Sequence, residues 1–158
     1  MKDIDLFSLI TGNNANQLEK VEACNQYTKK FGLELSKEQA LQLLNDRKDS
    51  LKEQARVEFG EGILPKLIYA FCDSPYIYED NYVEVMGYLQ DIFYLYKNEA
   101  LDEVTDDELI EYMRDEFNGE CQGSVEYLED TSLEKFAREI RVGTRRFMGL
   151  YRNKEDEE

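Results

Sequence analysis

Apolar residues recur every three or four positions along almost the whole chain, the spacing that lines one face of an α-helix. No segment shows the period of two that marks a half-buried strand. A short helix is predicted over Ile4 to Ile10, ended by Gly12-Asn13-Asn14. A second runs to about Phe31, with Leu18, Val21, Cys24, Thr28 and Phe31 on one face and Gly32 placed to stop it in the left-handed conformation. Ser36 and Gln39 spell a capping box, in which each residue satisfies a backbone N–H of the other. The helix they open is expected to reach about Phe59, with a stripe of Ala40, Leu41, Leu44, Leu51 and Ala55, before Gly60 and Gly62 break it. Pro65 suits the first turn of the next helix, which ends near Cys72 before the turn signal Asp73-Ser74-Pro75.

The stretch from about Asp80 to Ala100 reads as the central helix. Tyr82, Val85, Met86, Leu89, Ile92, Phe93 and Tyr96 make one wide apolar face, and Tyr88, Tyr94 and Leu95 add apolar surface around it. A helix apolar on most sides is buried on most sides. Thr105 and Glu108 form a second capping box, opening a helix that buries Leu109, Ile110, Met113 and Phe117 and stops at Gly119. Ser124 caps a short helical turn, and Thr131 with Glu134 spells a third box for a last helix reaching about Arg152. The expectation is an all-α fold: an irregular single-domain bundle of about six to eight helices over residues 1–152, followed by an acidic, disordered tail over 153–158.

At 158 residues the chain is long enough to bury a core without metal or disulfide. Three widely spaced cysteines, Cys24, Cys72 and Cys121, give an odd count and no C-x-x-C pair, which fits a reducing compartment, the cytoplasm. The start, with its two aspartates, lacks the features of a signal peptide, and no apolar run is long enough to span a membrane. Charge changes the picture more. The formal net charge is −16, and residues 73–131, with 2 basic and 18 acidic side chains, carry all of that excess. Residues 132–152 are basic, with 6 Lys/Arg against 2 Glu. Such a field disfavours nucleic acid and anionic lipid and favours a basic partner.

Five phrases, Phe31-Gly32-Leu33-Glu34-Leu35-Ser36, Arg56-Val57-Glu58-Phe59-Gly60, Asp73-Ser74-Pro75-Tyr76, Phe93-Tyr94-Leu95-Tyr96-Lys97-Asn98-Glu99 and Asp106-Asp107-Glu108-Leu109-Ile110, resemble an uncharacterised bacterial family found mainly in Firmicutes and catalogued as a domain of unknown function. The resemblance spans most of the chain. It implies a bacterial, cytosolic setting and supplies no activity, substrate or site residue.

The chain has no histidine. That removes Ser-His-Asp and Cys-His catalysis, Cys/His zinc sites and the Glu-x-x-His sites of di-iron bundles. No phosphate-binding or dinucleotide-binding glycine loop is present. The span Asp102 to Met113 has the length of an EF-hand loop but puts Val104, Asp107 and Met113 at positions that need a ligand, a glycine and a bidentate glutamate. No cofactor is expected.

Several groups remain as candidates. On the last helix, Leu133, Phe136, Ala137, Ile140, Thr144, Phe147, Met148 and Tyr151 share one face. Arg138, Arg141, Arg145 and Arg152 then fall within about 60° of one another on one flank. They suit either an anion site or ion pairs with the acidic middle of the chain. Arg47 and Glu58 border the third helix's apolar stripe, as a pocket or as buried ion pairs with other helices; about 16 Å apart on one helix, they are expected not to pair with each other. Tyr76, Tyr78 and Tyr82, after the Pro75 turn, are candidates for a partly exposed interaction surface. Glu108, Glu111 and Asp115 face water and make a weak candidate for a metal site.

Two functional readings follow. In the first, the protein is a cytosolic interaction module whose acidic, tyrosine-rich surface binds another protein, in particular a basic one. In the second, it binds a small molecule or anion in an arginine-lined pocket, with histidine-free catalysis by a carboxylate such as Glu58. The pattern sets neither the oligomeric state nor the identity of a partner.

Overall fold

The computed structural model describes residues 16–58 and 62–143. The helix expected over Ile4–Ile10, the end of the last helix and the acidic tail lie outside the described residues. In chain order the elements are α1 (16–23), α2 (Asn25–Thr28), a 3-10 turn (Lys29–Phe31), α3 (Lys37–Glu53), α4 (Leu64–Phe71), α5 (Tyr82–Glu99), α6 (Asp106–Asn118), α7 (Val125–Tyr127), a π-helical turn (Leu128–Ser132) and α8 (Leu133–Arg141). The described residues hold six helices of eight residues or more and no strand, so the fold is all-α. No helix among them is long and apolar enough to cross a membrane.

The core is organised around α5. Tyr82, Val85, Met86, Leu89, Ile92, Phe93, Tyr94 and Tyr96 are all buried, and α3, α4, α6 and α8 pack around them. α3 and α5 lie side by side in the same direction: Asp46 stands against Gly87, Ser50 bonds Asp91, and Gln54 bonds Asn98. Parallel neighbours need a long return, and the connection through α4 supplies it. α6 and α8 close the other sides with the stripes read from the pattern: Leu109, Ile110, Met113 and Phe117 on one, Leu133, Phe136, Ala137 and Ile140 on the other.

Local signals explain most helix ends. Ser36–Gln39 and Thr105–Glu108 each form both bonds of a capping box, and the Ser124 hydroxyl accepts from Tyr127 N–H. Gly32, at φ +81°, ends the 3-10 turn. The third box does not form. α7, the π turn and α8 are one continuous run, so at Thr131 there are no free N–H groups to cap. Glu134 instead accepts from the Tyr96 hydroxyl at 3.2 Å and faces Arg141 at 3.6 Å.

The larger correction concerns α3, which stops at Glu53 rather than near Phe59. Ala55 takes φ +56°, its N–H bonds Lys52 C=O, and Arg56 N–H reaches Leu51 C=O at 2.8 Å. These are the two bonds of a Schellman termination, with alanine in the place glycine prefers. The buried stripe also differs: it is Ala40, Leu43, Leu44, Arg47 and Ser50, while Leu41 and Ala55 are exposed.

α5 ends the same way, with Leu101 and Asp102 both at φ +57°. The two helix ends are tied together. Arg56 forks onto the Asp102 carboxylate at 2.8 and 3.2 Å and onto Asn98 Oδ1 at 2.5 Å, and Asn98 Nδ2 donates to Gln54 C=O at 2.9 Å. Buried Lys97 donates to Val104 C=O at 2.7 Å and faces Asp106 at 3.0 Å. The Arg56 hydrogen bond holds the Asp102 carboxyl below its usual range.

A left-handed alanine costs about 1 kcal/mol that glycine avoids. Ala55→Gly is therefore expected to stabilise the fold by about 0.5–1 kcal/mol, read as a higher urea midpoint at unchanged slope. A lower midpoint would mean that α3 does not end in this turn.

Candidate functional site

Two features stand out on α3 and α5: a closed ion pair and an open acidic groove. Arg47 sits in the middle of the buried stripe of α3, its side chain only 4% exposed. Its Nε donates to Glu58 Oε1 at 2.7 Å, and Nη2 reaches Glu58 C=O at 3.4 Å. The Tyr94 hydroxyl of α5 donates to the same carboxylate oxygen at 2.5 Å. Arg47 and Glu58 thus pair with each other, against the expectation. The reason is the early end of α3: after the Ala55 turn the chain is no longer helical, and Glu58 returns alongside Arg47. Gly62 then passes over the pair at φ +74°, where a Cβ would lie 2.5 Å from both Arg47 Nε and Glu58 Oε1. Only glycine fits there. Burial first, and then the Glu58 charge, push the Tyr94 phenol far above its usual range, so it remains a donor. Donors and acceptor here are engaged with one another, which is the geometry of a lock.

The groove lies on the solvent side of α5. Two adjoining clefts, of about 450 and 330 Å³, share Tyr88, Ile92 and Glu129. Ser50 and Glu53 of α3 line one side, and Ser124 to Glu126 and Glu129 line the other. Among the described residues, no lysine or arginine lines either cleft. The Ser50 hydroxyl donates to the Asp91 carboxylate in a short hydrogen bond. Tyr88 is 49% exposed. The π turn places Glu129 at this edge, with its carbonyl accepting from the Tyr96 hydroxyl at 2.6 Å. π turns recur at functional sites because they re-aim side chains within a helix. Burial raises the carboxyl pKa of Glu129, and Asp130 and Asp91 raise it further. Burial likewise raises that of Asp46, followed by Asp91 and Asp49. Asp91 acts on both, so the groove concentrates negative charge, with no cation among the described residues that line it.

The remaining candidates fall as follows. Tyr78 is exposed, and Tyr76 is half-buried, edge-on to Phe117 at 6.3 Å. Tyr82, expected at a surface, is 1% exposed; it is the first residue of the core face of α5. Arg138 is exposed on α8. Arg141 bonds Glu99 Oε1 at 2.9 Å and faces Glu134 at 3.6 Å, so it pairs within the chain. Arg145 and Arg152 lie outside the described residues. Glu108 is held in its capping box, while Glu111 and Asp115 are exposed; among the described residues no three Cys, Asp or Glu side chains converge to hold a metal. Ser50, Asp91 and Glu129 were not singled out by sequence, and Tyr88 only as added apolar surface. The one local signal was a tyrosine at a non-core position of an otherwise buried helix.

A family model described as "Family of unknown function (DUF6323)" matches residues 20–146. No curated protein and no solved structure matches the chain.

The crowded carboxylates give a pH signature. A carboxyl whose folded pKa is raised favours the fold in its protonated form, so stability is gained as pH falls through that raised value. Asp102 acts oppositely: its contribution is present above 3.8 and lost as pH falls below that value. Thermal unfolding is expected to show Tm rising as pH falls from neutrality through the raised carboxyl values and falling at more acid pH, with Asp46→Asn flattening the rise. A Tm that falls steadily from neutrality would contradict the crowding.

Proposed function

The chain belongs to the DUF6323 family, a family of unknown function, and we propose that it is an interaction module that takes a lysine- or arginine-bearing segment of another protein into the acidic groove between α3 and the α7–π turn. The observation that carries this reading is a groove lined by Glu53, Asp91, Glu126 and Glu129 with no basic side chain among the described residues that line it. Tyr88, Ile92 and Leu95 supply its apolar surface. A lysine or arginine buries its alkyl stem on such a surface while its charged end meets carboxylates. The net charge of −16 speeds encounter with a basic partner and makes the complex sensitive to salt. Three buried thiols, none in a disulfide, suit a cytoplasmic setting.

The arginine-lined alternative draws less support. Arg141 is paired with Glu99 and Glu134, and neither Arg138 nor Arg141 lines the groove. Glu58, the carboxylate that acid–base catalysis would need, is bonded by Arg47 and Tyr94.

A fluorescently labelled peptide alternating lysine and leucine tests the proposal by anisotropy. Saturable binding is expected at low ionic strength, weakening at least about tenfold between 50 and 300 mM salt. The double variant Asp91→Lys/Glu129→Lys is expected to abolish it. Glu103→Lys/Glu120→Lys, which changes charge equally at exposed positions outside the groove, is expected to weaken it far less. Equal losses from the two double variants would reduce the effect to net charge and overturn the groove as the site.

A further inference from the structure

A second surface, on α2, α4 and α6, differs from the rest of the molecule in two ways. The first is aromatic exposure. Tyr27, Phe31 and Tyr69 are each 40 to 48% exposed, and they touch edge-on, with ring centroids 5.7 Å apart for Tyr27–Phe31 and 5.6 Å for Tyr27–Tyr69. Lys30 Nζ sits 4.0 Å from the Tyr27 ring centre. The neighbouring Cys24 thiol pushes the Tyr69 phenol above its usual range. Contiguous exposed aromatics of this kind mark contact surfaces. The second is charge balance. Tyr69 also borders an open groove of about 440 Å³ between α4 and α6, whose charged residues are Lys66 and Arg114 against Asp107 and Glu111. Two cations and two anions balance within that groove, in a chain of net charge −16.

From these we infer that the Tyr27–Phe31–Tyr69 face pairs with the same face of a second copy of this chain about a two-fold axis. In a two-fold contact each patch meets itself, so the patch must be self-complementary. Aromatic rings satisfy that requirement, and so does a rim with equal numbers of both signs, where Arg114 of one copy meets Glu111 of the other. The in-chain pairs Lys66–Asp107 at 2.9 Å and Arg114–Asp115 at 3.4 Å are exposed, and exposed pairs exchange partners at little cost. Over the acidic groove two copies repel. On the α2–α4–α6 face they approach with less of that penalty. The inference is independent of the groove reading, and salt separates them: screening the like net charges strengthens self-association, whereas it weakens capture of a basic segment.

Sedimentation equilibrium from about 1 to about 300 µM, a range suited to a modest interface, reads the outcome on the intact chain, with circular dichroism confirming that each variant is folded. The parent is expected to show a monomer–dimer equilibrium that shifts toward dimer as salt rises. Tyr69→Glu, at a half-exposed position, is expected to remain monomeric throughout. Arg114→Glu and Glu111→Arg are each expected to weaken the dimer at least about tenfold, and an equimolar mixture of the two is expected to recover it, because both contacts then pair opposite charges. A parent that stays monomeric at every salt concentration, a dimer that Tyr69→Glu leaves intact, or a mixture that associates no better than either variant alone would overturn the inference.

Discussion

A buried guanidinium cannot be left alone, and the course of the chain around α3 follows from that constraint. Arg47 occupies a core position on the face that packs against α5. Its desolvation is offset only if a carboxylate and further hydrogen bonds reach it. Glu58 is that carboxylate, Tyr94 adds a donor to it, and Gly62 lets the backbone cover both. To deliver Glu58, α3 must stop early enough for the chain to turn back. The left-handed Ala55 makes that turn, and the Arg56–Asp102–Asn98 clamp fastens the same turn to the end of α5. The α3–α5 seam is therefore polar along much of its length: Leu43 C=O with Gln90, Ser50 with Asp91, Gln54 with Asn98. Hydrogen bonds in such a seam specify one register, where a wholly apolar interface would tolerate sliding.

The groove and the aromatic face are by-products of this arrangement. Holding α3 and α5 parallel leaves the solvent side of α5 open between α3 and the π turn. Carboxylates line that opening around Tyr88, Ile92 and Leu95. The opposite solution appears on α2, α4 and α6, where exposed rings lie among charges that cancel. One molecule thus presents an acidic groove and an aromatic face without that acidic excess.

Much of the architecture was legible because it rests on local signals. The wide apolar face of α5 and the capping boxes at Ser36 and Thr105 are written within a few residues of where they act. Tyr82 shows the rule from the other side: its spacing with Val85, Met86 and Leu89 marked it as core, and the neighbouring Pro75 turn was the weaker guide. The end of α3 was not legible. Ala55 keeps the helical period, and alanine has no preference for the left-handed region; what holds it there is Arg56 reaching Asp102, 46 residues further on. Reading the helix too long then made Arg47 and Glu58 seem too far apart to meet. The groove was hidden for a similar reason, since Ser50 and Asp91 are 41 residues apart and neither is unusual in its own segment.

The central claim is that Arg47 and Glu58 stabilise each other, and a double-mutant cycle measures that directly. Arg47→Met, Glu58→Gln and the double variant would be compared with the parent by urea unfolding. If the pair is as described, each single change leaves a charge without its partner, and the double variant is more stable than the sum of the single losses by about 2–4 kcal/mol. Losses that add to within about 0.5 kcal/mol would show that the two side chains do not depend on each other, and the account of why α3 ends where it does would fail.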